Sequence, residues 1–344
     1  MSRVQYHPLK VREVVEETAD ARSIVFDVPP ELQPAFKYRP GQFLTLHVPC
    51  GARPLPRCYS ASSTPSADEP LRVTVKRVTD GRASNWLCGT LKAGDTLDVA
   101  VPAGIFTPKN LDGDFLMFAG GSGITPVLSI IRTVLLAGKG AIRLIYANRD
   151  ERSVIFGALL SKLSRENPKR LQVIHWLDTV QGIPSQAQIS ALGRGFEHAE
   201  CFICGPSLFM DATAAAAAHD LGMPSAKIHV ERFVSLPDDT DEDAAPVADT
   251  GGERIQIEAS LDGVTRKLEG LPGQLLIEAM EAAGMEPPYS CRAGACAACM
   301  CHLDEGEVEM RHNQVLDQSD LSQGWVLACQ AVAKSPRVRI SYPS

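Results

Sequence analysis

Four cysteines near the C-terminal end carry the sharpest chemical signal in this sequence. Cys291, Cys296 and Cys299 stand in the spacing C-x4-C-x2-C, and Cys329 follows thirty residues later. Thiolates bind soft metals, and this spacing is the plant-type arrangement for a [2Fe–2S] cluster. Zinc sites, the ordinary alternative, are usually built from C-x2-C pairs. Thiolates converging on one cluster need a backbone that wraps closely and aims N–H groups at the sulfurs. Ala293, Gly294, Ala295, Ala297 and Ala298 keep that loop small, and Gly294 allows a positive φ. Cys329, on a distant strand, would close the set. Cys301 lies two residues past Cys299 and reads as a small buried hydrophobe.

Three other strings could do chemistry. Arg57-Cys58-Tyr59-Ser60-Ala61-Ser62-Ser63 offers a guanidinium able to fork a phosphate, a flat ring able to stack, and hydroxyls able to donate. Alone it is weak, because Tyr and Ser on a strand are usually only strand. Gly120-Gly121-Ser122-Gly123-Ile124-Thr125-Pro126 joins an apolar run to an apolar helical segment. Glycines let a backbone approach a phosphate, and a helix N-terminus adds about half a positive charge. The string is not G-x-G-x-x-G, so a mere packing turn stays open. Cys201 and Cys204 form C-x2-C before Gly205-Pro206. Residues three apart on a strand face opposite ways, which argues against a dithiol.

These strings need elements to hold them. Residues 23–28, 42–48, 71–78 and 96–101 are β-branched or alternate with period two, and Gly- and Pro-containing turns separate them. That pattern predicts a small antiparallel barrel. From residue 109 the pattern changes. Residues 115–119, 142–147, 171–176 and 201–204 read as buried strands, with helices after the first and the last. Alternating β and α predicts a doubly wound parallel sheet. After a break come two strands around Asp262-Gly263, a helix over 274–283 stopped by Gly284, the cysteine loop, and strands at 326–329 and 338–340. The expected organisation is 1–108 barrel, 109–234 α/β domain, 235–252 acidic linker and 253–344 cysteine-bearing domain.

Charge marks the same break. Residues 1–234 hold 26 basic and 22 acidic side chains, and residues 235–344 hold 8 and 19. Residues 235–252 contain six acids and no base, too little apolar surface to offset ordering entropy, so they read as a solvated linker. A net charge of −7 argues against a nucleic-acid partner. No apolar run reaches the length of a membrane span, and the N-terminal residues lack an export signal. Without an export signal the chain is expected in the reducing cytoplasm, where its ten cysteines are expected to be thiols or metal ligands and not disulfides.

Taken in order, R-C-Y-S-x-S-S, G-G-S-G-I-T-P, C-G-P and Glu231-Arg232-Phe233 resemble the ferredoxin–NADP reductase superfamily over residues 5–234. Residues 253–344 resemble the β-grasp fold of plant-type ferredoxins. One departure is Ala297, where that family usually has Gly. The whole chain resembles reductase components of bacterial oxygenases, in particular those of 3-ketosteroid 9α-hydroxylase and phenylacetyl-CoA epoxidase systems. The strings SNWLC at 84–88 and YANRDERSVIF at 146–156 favour the steroid group.

The resemblance implies a multidomain protein: an antiparallel β-barrel for FAD, an α/β doubly wound parallel sheet for NAD, and a β-grasp ferredoxin. It implies roles too. Arg57 would pair with the FAD pyrophosphate, Tyr59 would stack on the isoalloxazine, and Ser60 would lie near N5. Val75, Lys76, Gly81 and Ser84 would line the rest of FAD, and Phe233 would cover its other face. Gly121, Ser122 and Gly123 would meet the NAD pyrophosphate. Thr125 would sit between the two rings, Arg149 near the adenosine, and Cys204, Gly205 and Pro206 at the nicotinamide. Tyr59, Ser60 and Cys204 would be the catalytic group, and Cys291, Cys296, Cys299 and Cys329 the cluster ligands.

Nicotinamide gives two electrons together, and a [2Fe–2S] cluster takes one at a time, so a flavin must stand between them. The expected path is NADH to FAD to [2Fe–2S] to a terminal oxygenase docked near the cluster. NADPH stays possible: Arg149 and Arg152 could grip a 2′-phosphate, while Asp150 and Glu151 would repel it. The acidic string Asp304–Glu309 is expected to meet a basic partner face. The protein is expected to be a monomer. Two other readings remain: a reductase of a non-oxygenase metalloprotein or small acceptor, and a catalytically silent iron–sulfur carrier.

Overall fold

The computed structural model describes residues 6–51, 54–66, 69–233, 254–289, 292, 294, 297–313, 315–316 and 318–342. The expected linker at 235–252 lies outside the described residues, as do Cys291 and Cys296. Two compact units divide the chain, one of them Tyr6–Phe233.

The first unit opens with six strands, β1 (Tyr6–Thr18), β2 (Ala21–Asp27), β3 (Phe43–Val48), β4 (Leu55–Ser60), β5 (Arg72–Lys76) and β6 (Thr96–Ala100), with helix α1 (Arg82–Gly89) between the last two. Alternation drives the sheet. Leu9 and Val11 are buried while Pro8, Lys10 and Arg12 are exposed, so one face of β1 serves the core. The order is β4-β3-β6-β1-β2-β5, antiparallel throughout. A bridge between Ala61 and Val73 links its two ends, giving a barrel. Gly41 has φ +92°, and a Cβ there would stand 2.0 Å from the Phe106 carbonyl oxygen; only glycine fits that crossing.

Next come β7 (Phe115–Gly120), α2 (Ile124–Ala137), β8 (Ile142–Asn148), α3 (Gly157–Glu166), β9 (Leu171–Leu177), α4 (Asp178–Gln181), α5 (Gln186–Gly193), β10 (Glu200–Cys204), α6 (Ser207–Ala215) and β11 (Ile228–Glu231). Every residue of β7 is buried, as a strand covered on both faces must be. The sheet is parallel with order β11-β10-β7-β8-β9. In this sheet the chain winds one way from β7 and then jumps to β10. The strand order therefore reverses between β7 and β10, and ligands of such sheets bind outside the strand ends at that reversal. The helical segment after β10 continues beyond α6 as a single π turn, Ala216–Asp220.

Barrel and sheet share packing. Ala21 and Phe106 belong to the same buried cluster as Phe115, Ile130 and Tyr146. Two polar ties cross the seam: Ser129 on α2 donates to the Ser63 carbonyl at 2.6 Å, and Arg132 on α2 meets Glu69 at 2.6 Å.

The second unit holds β12 (Ile255–Leu261), β13 (Val264–Gly270), α7 (Leu276–Ala282), β14 (Met300–Glu305), β15 (Val308–Met310), α8 (Gln318–Ser322), β16 (Trp325–Leu327), β17 (Ala331–Ala333) and β18 (Arg337–Ser341). Its main sheet runs β13-β12-β18-β14-β16, with β12 and β18 parallel. Leu276, Ile277 and Met280 of α7 pack with Ile257, Val338 and Ile340 of the sheet, the mixed-sheet-and-helix plan of the β-grasp ferredoxin. Asp262 and Gly263 form the β12–β13 turn with φ of +51° and +75°, the left-handed pair that a two-residue hairpin needs.

Candidate functional site

The glycine turn after β7 and the Cys204-Gly205-Pro206 turn after β10 meet at the reversal point. A Cβ on Gly123 would lie 2.1 Å from the Cys204 carbonyl oxygen, and one on Gly120 would lie 2.7 Å from Pro206. The two turns touch backbone to backbone, so these glycines are there for close approach. Gly121 differs: it has φ +52°, and only the Lys76 amine is near, 3.6 Å from a would-be Cβ. Behind this turn the fourteen-residue α2 begins at Ile124. Thr125 is buried and donates from its hydroxyl to the Ser122 carbonyl at 3.1 Å, which shapes the turn. Asn148 ends β8 on the neighbouring strand. Its amide is buried beside the Tyr146 hydroxyl, with neither polar atom in a well-formed hydrogen bond.

Arg149 follows. It is exposed, and its Nε lies 3.1 Å from Asp150 Oδ2. Asp150 in turn accepts from the Ser153 backbone N–H at 2.9 Å and caps that turn. The Arg149 guanidinium, helped by the bonds from Ser153, holds the Asp150 carboxyl below its usual range. Arg152, on the same turn, is exposed.

The barrel side contributes β4. Arg57 and Tyr59 share one face of the strand. Tyr59 packs against the cluster containing Val75, Leu87 and Cys88, and burial pushes its phenol up. Val75 is fully buried, and the Lys76 amine sits 3.8 Å from Asp20. Gly81 caps α1, and the Ser84 hydroxyl accepts from the Val78 N–H at 3.1 Å. Phe233, the last described residue of this unit, is 44% exposed.

Ser60 ends β4 and donates to Glu231 Oε2 at 3.3 Å. Glu231 is the register partner of Cys204 across β10–β11. Burial pushes the Glu231 carboxyl up to about 8, against a downward pull from Ser60. So Ser60, Cys204 and Glu231 meet at one point of the cleft. The motif Glu231-Arg232-Phe233 stands out in the sequence, yet nothing local in it marks Glu231 over its neighbours. Cys201 and Cys204 lie in different clusters on opposite sheet faces. Burial pushes Cys201 up to about 12 and Cys204 well above the ordinary thiol value, so neither is a nucleophilic thiolate.

In the second unit, Cys299 and Cys329 are buried at 2% and 1% exposure. The Ala328 N–H donates to the Cys299 carbonyl at 3.1 Å, bringing both cysteine segments together. Gly294 has φ +74°, and a Cβ there would lie 2.5 Å from the His312 carbonyl oxygen. Ala297 has φ +55°. Its departure from glycine is therefore a matter of backbone angle, not size, and costs about 1 kcal/mol. These tight, small-residue turns around buried thiols fit an iron–sulfur group. Cys301 is fully buried in the core, as a small hydrophobe would be.

The acidic string is less open than its sequence implies. His302 lies 2.9 Å from Asp304, Glu305 is within 3.8 Å of Arg337 and Arg339, and Glu309 pairs with Lys334. Asp304 and Glu305 lie at the far end of β14, roughly 15–20 Å along the strand from Cys299 at ~3.3 Å per residue, whereas Glu309 on β15 is the register partner of Val332, three residues past Cys329.

Three protein families match successive parts of the chain. The oxidoreductase FAD-binding domain family matches residues 8–107, the oxidoreductase NAD-binding domain family 117–215, and the 2Fe-2S iron-sulfur cluster binding domain family 259–334. The chain is 48% identical over 338 residues to the 3-ketosteroid-9-alpha-monooxygenase ferredoxin reductase component of Rhodococcus rhodochrous, covering 97% of this chain and 96% of the relative. It is 34% identical over 364 residues to one of the subunits of the 1,2-phenylacetyl-CoA epoxidase of Escherichia coli K12, covering 98% of each. Among solved structures, phthalate dioxygenase reductase aligns with TM-score 0.62 and 24% identity over 98% of each chain, which shows a shared fold.

Proposed function

The chain belongs to the family of oxygenase reductase components that carry FAD-binding, NAD-binding and 2Fe-2S domains in one polypeptide, and from that premise we propose that it serves a ketosteroid-hydroxylating oxygenase. As a member it passes electrons from NAD(P)H through FAD to a [2Fe–2S] centre. The steroid reading rests on the 48% identity to the Rhodococcus rhodochrous protein. The organic substrate itself belongs to the oxygenase.

When bound, these groups supply hydride donation, conversion of a pair of electrons to single ones, and one-electron storage. The chain's own residues supply position. Arg57 and the first turn of α1 hold the FAD pyrophosphate, and Tyr59 offers its ring to the flavin. Gly121, Ser122 and Gly123 admit the nucleotide pyrophosphate to the α2 N-terminus. Cys204, Gly205 and Pro206 form the floor beneath the nicotinamide, with Thr125 beside it. Ser60 and Glu231 hold a proton between Oγ and Oε2 at the same point. Phe233 shields the outer face of the flavin. Cys291, Cys296, Cys299 and Cys329 hold the cluster.

The observation that supports this reading best is the backbone contact of Gly123 with Cys204, joined to Ser60 through Glu231. It brings a barrel residue to the reversal point of the nucleotide-binding sheet. We further propose NADH as the donor, because Asp150 already occupies Arg149. The oxygenase docks beside the cysteine loop, where a depression of about 340 Å³ is lined by Asp262, Glu286, Pro288, Ala297, Ala298 and Tyr342. We propose a monomer, with 1–108, 109–234 and 253–344 as its three domains.

The test is reconstitution. Anaerobic NADH should bleach the flavin and cluster bands, and a purified ketosteroid oxygenase should then turn over only with this protein present. Full bleaching with no turnover for steroid, but turnover with another oxygenase, would replace the steroid assignment.

A further inference from the structure

One buried polar side chain beside the cysteines has no role in the reading above. Gln330 directly follows Cys329 and is 5% exposed. Its Nε2 donates to the Arg292 carbonyl at 2.7 Å and lies 3.8 Å from Cys329 Sγ, within reach of a weak N–H···S bond. Arg292 directly follows Cys291. One amide thus ties the segment of the first cysteine to the sulfur of the fourth.

Both ends of this tie are fixed. The Gln330 N–H donates to the Leu327 carbonyl at 2.8 Å, and its carbonyl accepts from the Arg311 N–H at 3.0 Å. A Cβ on Gly294 would stand 3.1 Å from Gln330 Cγ, so the side chain has little room to swing. Arg292 has φ +52°. Its guanidinium lies 4.0 Å over the Tyr289 ring and pairs with Glu281. A glutamine amide carries two N–H donors, and here one meets a carbonyl while the other can meet a sulfur. Hydrogen bonds to sulfurs tune the potential of an iron–sulfur centre. An added electron places more charge on the sulfurs, so a donor aimed at one favours the reduced form.

We infer that Gln330 is a positioning residue of the [2Fe–2S] centre, clamping the first-cysteine loop to the fourth cysteine and raising the reduction potential. This rests on Cys291 and Cys329 being ligands.

The test uses full-length, FAD-loaded protein as wild type, Gln330→Met and Gln330→Glu. Methionine keeps the length and removes the donors. Glutamate keeps the shape, cannot donate when ionised, and adds a negative charge. The readouts are an EPR-monitored redox titration, the EPR g values, and bleaching of the cluster bands by an iron chelator. At a fixed potential the reduced-to-oxidised ratio should fall by roughly three- to tenfold in Gln330→Met, the worth of one hydrogen bond, and further in Gln330→Glu. Tenfold corresponds to about 59 mV for a one-electron couple. Bleaching should be several-fold faster in both. Variants with full flavin that cannot keep a cluster would also support the clamp. Loaded variants with wild-type ratio and g values would overturn the proposal, even if they bleach faster, because a purely structural glutamine would behave that way. Wild type without iron and sulfide would overturn it together with the cluster assignment, and loaded wild type with indifferent variants overturns it alone.

Discussion

The carbonyl oxygen of Cys204 stands 2.1 Å from where a Cβ on Gly123 would have to be. Two turns from distant parts of the chain therefore meet only because one of them has no side chain. Gly123→Ala should push the turns apart and cost about 3 kcal/mol, the upper part of the overpacking range. The KM for NADH should rise more than tenfold. Gly121→Ala should cost only about 1 kcal/mol, since its problem is φ and not space. Denaturant unfolding and NADH titration of the two variants should show that ranking; equal effects would mean the close approach does not govern the site.

The seam between barrel and nucleotide sheet depends on α2. Arg132 and Glu69 meet at 2.6 Å with side chains 22% and 15% exposed. Burial alone would raise the Glu69 carboxyl, but bonds from Arg132 and Thr64 hold it below the usual range. Arg132→Ala leaves that carboxylate short of a partner and should cost about 2 kcal/mol. The rate of flavin reduction should fall while FAD content stays full. A double-mutant cycle with Glu69→Ala should show a coupling of about 1 kcal/mol; additive effects would show that the pair does not register the two layers.

Glu231 predicts a pH dependence. In the folded protein its carboxyl holds a proton to about pH 8 because burial disfavours the charge. In the unfolded chain it would lose that proton near the usual ~4.3. Folding thus takes up a proton between those values, and stability falls as pH rises through that window. Glu231→Gln removes the titration. It should unfold at a higher temperature than wild type at pH 8.5 and show a much smaller difference at pH 5, with a gap of about 1 kcal/mol after allowing for solvent. A constant difference across pH would place the titration elsewhere.

Much of this is legible in the sequence because it is local. Periodicity locates four of the six barrel strands and four of the five sheet strands, since a one-sided or two-sided burial pattern is written residue by residue, but it does not mark β1, β4 or β11. The cysteine spacing and the glycine turn are equally plain. What stays hidden depends on non-local pairing. Glu231 acquires its altered carboxyl only when β11 lies beside β10 and folding buries it, with Ser60 from the barrel pulling the other way. Gln330 is any polar residue after a cysteine until Arg292 comes within 2.7 Å. The string Asp304–Glu309 reads as open charge because Arg337, Arg339 and Lys334 are about thirty positions away in sequence. Ala297 shows in the sequence only as a departure from glycine, and its positive φ is a property of the folded loop.

Cysteine chemistry offers a clean contrast. Cys329→Ser should abolish the cluster while leaving full FAD and NADH oxidation by a small artificial acceptor. Cys301→Ala, equally buried but in the core, should load normal iron and sulfide and lose about 1 kcal/mol of stability, the cost of a small cavity. Iron analysis and visible spectra check both. Cluster loss in Cys301→Ala would make Cys301 more than packing.

Nucleotide preference turns on Asp150, which does two things at once. One oxygen engages Arg149 at 3.1 Å, and the other caps the following turn through Ser153. A 2′-phosphate needs a free guanidinium and no nearby carboxylate. Asp150 removes the first and supplies the second, so NADH should exceed NADPH in kcat/KM by at least about tenfold. Asp150→Ser separates the two effects, because serine caps a turn nearly as well as aspartate but carries no charge. The turn should persist, Arg149 should be released, and the NADH-to-NADPH ratio should shrink about tenfold, or about 1.4 kcal/mol, chiefly through a lower KM for NADPH. Asp150→Ala would lose the cap as well, and should weaken both nucleotides. If Asp150→Ser instead leaves the ratio unchanged, discrimination lies outside the Arg149–Asp150 pair and the adenosine pocket must be sought on another strand end.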